Sequence, residues 1–144
     1  WAHTFDCPIH LHTADRQWVM RPDAAIEFWD GENKQIGEGL TLIRCGGHFD
    51  GGAVLHWPDG ADGKGVIMSG DILQVVQDRR WVSFMYSYPN LIPLPALTVR
   101  RIVAAVEPFN FDRIYGAWWG KVVFTDAKAA VARSGERYIR AIQD

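Results

Sequence analysis

The sequence predicts a chain of the α/β (α+β) class, a mixed sheet with helices packed on one face. Three observations lead there. Short apolar runs bounded by Gly, Asp and Pro recur between residues 8 and 71, which marks strands. Residues 96–106 and 126–142 carry apolar side chains at helical spacing instead. The resulting order, β-α-β-β-β-β-α-β-α, suits a sheet covered by helices.

Residues 8–12 alternate, with Cys7, Ile9 and Leu11 on one side and His10 and His12 on the other, as a strand requires. Residues 14–20 read as a short helix with Thr13 as N-cap, ended by Pro22. Residues 23–29 read as one or two further helical turns closed by Asp30-Gly31. Residues 34–36 and 40–45 are strands around Gly37-Glu38-Gly39. Residues 53–57 and 66–68 flank a polar Gly/Asp-rich loop at 58–65 that suits a hairpin. Residues 80–85 form one more strand or an irregular edge.

Pro89, Pro93 and Pro95 keep residues 86–95 from being a regular helix or a central strand. The helix at 96–106 turns Leu97, Ile102, Val103 and Val106 inward and Arg100 and Arg101 outward. Residues 112–115 make a short strand. The longest helix, 126–142, has Thr125 as N-cap. Ala130, Arg133, Arg137 and Arg140 share its outer side, while Ala127, Val131, Tyr138, Ile139 and Ile142 pack.

Composition bounds the function. The 144 residues fit one domain with a real core, and 48% hydrophobic against 22% charged content excludes disorder. A net charge of −2 with dispersed basic residues gives no nucleic-acid footprint. No apolar run approaches the roughly 20 residues of a membrane span, and residues 1–12 lack a signal-peptide pattern. Two cysteines, Cys7 and Cys45, make no disulfide framework, so a reducing, cytoplasmic setting is expected. Seven Trp, seven Phe and four Tyr are many for this length. Most belong to a core, but those of segments 81–95 and 115–120 point to a pocket wall or an interface.

The chemistry concentrates in two loops. Gly46-Gly47-His48-Phe49-Asp50-Gly51-Gly52 follows one strand, and Ser69-Gly70-Asp71 follows another. Glycines let such loops turn tightly, and imidazole with carboxylate suits zinc, iron or manganese. A solitary loop His is more often structural, and Asp71 is also suited to capping its own turn. Cys7-x-x-His10 with Cys45-x-x-His48 resembles a Cys₂His₂ zinc set, but a strand puts Cys7 and His10 on opposite faces, and Cys45 reads better as a small hydrophobe. His10 and His12 share a face that reads as polar strand surface, and His56 reads as a packed or edge histidine. Ser69 lacks a Gly-x-Ser-x-Gly context, and residues 60–65 lack the order of a phosphate-binding loop.

This pairing of loops resembles the metallo-β-lactamase superfamily, in which a Gly-His-x-x-Gly loop supplies a metal-binding His and a (Ser/Thr)-Gly-Asp segment supplies a metal-bridging Asp. His48 matches the first and Asp71 the second, and the match runs over residues 36–116. The resemblance implies half of an αββα sandwich. It also implies zinc or another divalent metal, and a metal-bound hydroxide that attacks an ester, amide, thioester or phosphodiester. The chain departs from the family in two places. A leading His-x-His-x-Asp-His motif is absent, and Arg113-Ile114-Tyr115-Gly116-Ala117-Trp118-Trp119-Gly120 holds no His where the family's last metal His falls. The expected molecule is therefore a single half-domain over 1–144, a fragment or a natural half, with an incomplete or degenerate metal site. It is hydrolase-like, or else a non-catalytic binding or assembly module. Its open sheet face should pair two copies into a homodimer.

Overall fold

A computed structural model describes residues 1–143. A short helix α1 (Ala2–Phe5) leads into strand β1 (Ile9–His12), a 3-10 helix (Thr13–Trp18) and strand β2 (Ile26–Trp29). Strands β3 (Asn33–Ile36), β4 (Leu40–Arg44) and β5 (Ala53–Trp57) follow as a meander. A tight turn, α2 (Gly60–Gly63), leads to β6 (Val66–Gly70). Two short strands, β7 (Gln74–Val75) and β8 (Val82–Ser83), precede helix α3 (Ala96–Val106). Strands β9 (Arg113–Gly116) and β10 (Val122–Val123) and helix α4 (Ala127–Gln143) complete the order.

The main sheet has six strands in the order β10-β9-β6-β5-β4-β3. Neighbours run antiparallel except β6 and β9, which are parallel. A parallel pair needs a crossover, and α3 supplies it. The pleat then sorts side chains by face. Ile43 pairs with Val54, and Ile67 with Ile114, which in turn pairs with Val123. All five are buried in one core with Val99, Ile102 and Val106 of α3 and Ala127, Ala130 and Val131 of α4. The opposite face runs through Leu42, Leu55, Met68 and Tyr115, which stand in one cross-strand row. Leu42 and Leu55 are half-buried, and Met68 and Tyr115 are exposed. The predicted α/β class and one-sided helix layer hold, and so do the strands of the meander.

The amino-terminal region differs from the sequence reading. Residues 23–29, read as helical turns, contribute the strand β2, which pairs in parallel with β1 from Ile9↔Ile26 to His12↔Trp29. The β-branched and aromatic run Ile26, Phe28, Trp29 favours a strand once a neighbour is available, and tertiary pairing outweighs weak local helix preference. The 3-10 helix is capped by His12 rather than Thr13: the Ala14 N–H donates to His12 Nδ1 at 3.1 Å. In α3, Leu97 is exposed and Val99 is buried, because the face set by Ile102 and Val106 passes through 99. In α4, Ala130 lies in the core instead of outside, and the helix begins at Ala127 after Asp126 adopts φ 58°. β10 was not anticipated, since two valines give too short a period to read.

One buried polar link ties α4 to the sheet region. The Val82 N–H of β8 donates to Ser134 Oγ at 3.0 Å, and both residues are buried. Ser134→Ala should strand that N–H and lower stability by about 1–3 kcal/mol. Urea unfolding with an unchanged m-value is the check.

Candidate functional site

Register places the chemistry at one end of the sheet. Arg44 pairs with Ala53, so the loop 46–52 closes the β4–β5 hairpin there. Leu55 pairs with Met68, which brings the end of β6 and the following Asp71 to the same end. Gly70 pairs with Gly116, so the loop after β9, with Trp118 and Trp119, joins them. The register shifts between Met68 and Gly70, a bulge that places Ser69 to donate to Leu73 O at 2.8 Å. His48 and Asp71 therefore lie on two loops of a shared edge, as the sequence pattern led one to expect.

The His48 loop is held by backbone bonds and by its glycines. Cys45 and Gly46 N–H both donate to Gly52 O at 2.8 Å. Gly46 and Gly47 sit at φ 68° and 93°, a region closed to most side chains. A Cβ at Gly46 would also meet the Arg101 guanidinium at 2.0 Å, and one at Gly52 would meet Ile72 at 2.6 Å, beside Asp71. Arg101, which the helical pattern turned outward, donates from Nε to Cys45 O at 3.3 Å and fastens α3 to the loop. The amino-terminal layer reaches the same edge: Gly51 N–H donates to Asp15 Oδ1 at 2.8 Å, and His12 lies against Gly51. Asp15 was not singled out by sequence, and no local pattern marks a contact 36 residues away.

Each candidate donor has a definite environment. His48 is half-buried, and its Nδ1 is buried with no hydrogen-bond partner. Its ring meets Phe49 edge-on at 5.3 Å. Asp71 is exposed and accepts from Gln74 Nε2 at 3.3 Å, so its carboxylate closes its own turn. His12 is buried and bonded to Gly31 O at 3.1 Å, with Trp29 edge-on at 4.6 Å; the surface histidine pair read from alternation does not exist. His10 instead faces Glu27 Oε2 at 3.4 Å. His56 is a packed histidine, bonded to Asn110 O at 2.8 Å.

These residues do not make a closed metal centre. Among the described residues no group of three or more His, Cys, Asp or Glu side chains converges as a ligand set. That removes the four-ligand Cys₂His₂ arrangement. A metal-bound histidine ordinarily donates its second nitrogen to a carbonyl or carboxylate, and His48 Nδ1 has neither.

The geometry can be set beside known proteins. Metallo-β-lactamase SMB-1 in complex with mercaptoacetic acid superposes with a TM-score of 0.56 at 18% identity, over 93% of this chain and 63% of that one. A Cronobacter sakazakii (Enterobacter sakazakii) metallo-β-lactamase with a HARLDQ motif gives 0.56 at 19% identity, over 99% and 64%. The chain thus shares part of the metallo-β-lactamase fold. In sequence it is 54% identical over 142 residues to the uncharacterized protein YmaE of Bacillus subtilis (strain 168). The match takes in 99% of this chain and 52% of YmaE, so the chain spans about half the length of that relative. No protein-family model matches. No helix of the described residues is long and apolar enough to cross a membrane.

Cys45 tests how tightly the loop base is packed. Both cysteines are free; Cys7 is exposed, and burial pushes the Cys45 thiol up to about 12. The thiolate is the reactive form. At pH 8, iodoacetamide should label Cys7 alone in the folded chain and both residues in urea, as read by peptide mass spectrometry.

Proposed function

We propose that this chain is the part of a metallo-β-lactamase-type, hydrolase-like protein that contributes His48 and Asp71 to a divalent-metal edge and leaves that edge incomplete. The observation that carries the reading is the register, which brings both loops to one end of the sheet. Catalytic zinc sites use three protein ligands and keep one position open. Two donors fall short of that number, so zinc or another divalent ion held here is bound weakly. Hydrolysis on such an ion requires donors beyond this pair. The two free thiols are in keeping with a reducing, cytoplasmic setting.

Isothermal titration of the purified chain with zinc should show weak binding that His48→Ala and Asp71→Ala each reduce further. One tightly held zinc per chain that survives His48→Ala would overturn the assignment.

A second reading rests on the sheet itself. Its face away from the helices carries Leu42, Leu55, Met68 and Tyr115 in a row, with Leu40 and Trp57 beside them. An apolar face of this kind favours a cover. As an assembly module the chain would pair face to face with a second copy into a homodimer. Stable interfaces bury about 800 Å² per partner, and apolar area contributes about 25 cal/mol per Å² before the costs of association. Sedimentation velocity at micromolar concentration should give a dimer, and Leu42→Glu with Leu55→Glu should shift it to monomer. A clean monomer in the unmutated chain contradicts the dimer.

A further inference from the structure

Against the His48 loop lies a cleft of about 380 Å³, which His48 itself lines and Asp71 does not. That volume falls within the range of small-molecule sites. Its walls come from three separate segments: Trp18 from the 3-10 helix, Phe49 and Asp50 from the His48 loop, and Tyr86 and Asn90 from the proline-rich connection. Trp18 and Phe49 meet at 6.2 Å between ring centroids with planes inclined by 70°. The edge of one ring thus faces the other, and neither is stacked flat against its neighbour. All three aromatic residues stay exposed. Core formation does not account for them, since none belongs to the central cluster.

The charge of the cleft is one-sided. No lysine or arginine lines it. Asp50 is its charged residue. Among the described residues its carboxylate takes part in no ion pair, and the nearby Arg44 guanidinium is bonded instead to the Asp50 backbone carbonyl, at 3.1 Å. Arg101 of α3 is directed to Cys45 O. An aromatic ring presents a negative face, and a cation over it is attracted, most strongly by Trp. Several rings about one carboxylate recognise an alkylated ammonium group: the rings accept its weakly hydrated methyl surface and the carboxylate answers its charge.

We propose that this cleft binds an organic cation of the quaternary-ammonium class, held among Trp18, Phe49 and Tyr86 with Asp50 as counter-charge. Inorganic cations fit it less well, because carboxylate oxygens are too few to replace their hydration. A neutral sugar would also stack on such rings, and the two ligands differ in their dependence on Asp50.

Choline is the probe, titrated into the full chain with EDTA present and followed by saturation-transfer difference NMR and calorimetry. EDTA separates the result from the metal reading, which is tested by zinc alone. Choline should bind with a Kd of about 1 mM, a value suited to an open site. The neutral carbon isostere 3,3-dimethyl-1-butanol should bind at least about tenfold more weakly, since it lacks the charge that the rings and Asp50 select. Asp50→Asn and Trp18→Ala alter exposed side chains and should each weaken choline binding about fivefold or more, with circular dichroism unchanged. Equal binding of choline and its neutral isostere would overturn the proposal. So would choline binding indifferent to both substitutions, an absence of choline binding at 20-fold above that Kd, or methyl glucoside binding in its place.

Discussion

Packing of two helices against a single face of the sheet is the constraint from which the other features follow. Ile43, Val54, Ile67 and Ile114 point one way from four neighbouring strands, and α3 and α4 close over them. Successive residues of a strand point to opposite sides, so filling one face commits every second residue to the other. Leu42, Leu55, Met68 and Tyr115 stand out on the second face because their neighbours are committed to the core. A slip of one residue would bury the wrong set, which fixes register firmly.

Fixed register in turn decides where the loops lie. The β4–β5 loop, the turn after β6 and the loop after β9 reach one end of the sheet as a geometric consequence of Arg44↔Ala53, Leu55↔Met68 and Gly70↔Gly116. The helix layer reaches the same end through Arg101, whose guanidinium donates to the Cys45 carbonyl, and the amino-terminal layer through Asp15 on the Gly51 N–H. The edge is built from three layers at once. Loops carried on such a rigid support are where binding groups are usually found.

The edge separates into two chemically different regions. The Asp71 carboxylate accepts from the Gln74 side-chain amide, while His48 lines an aromatic cleft with its buried Nδ1 unsatisfied. A buried polar atom without a partner is costly, and here it lies on the His48 ring. The late loop carries Trp118 and Trp119, both well exposed.

Local signals in the sequence specify the class of fold, strands β3 to β6, both long helices, and the loops around His48 and before Asp71. Those elements announce themselves through local signals: period-two or helical apolar spacing, proline, and glycines around His48 and before Asp71. Long-range packing set the features that local signals do not encode. Residues 23–29 became a strand because β1 offered a parallel partner. His12 left the surface because Gly31 O and Trp29 enclosed it. Arg101 stays exposed as the helical pattern has it, and it also clamps the Cys45 carbonyl 56 positions away. Trp18, Asp50 and Tyr86 came together only because three distant segments fold to one cleft. Contacts between residues far apart in the chain are set by packing and register, and neither is written in any one stretch of sequence.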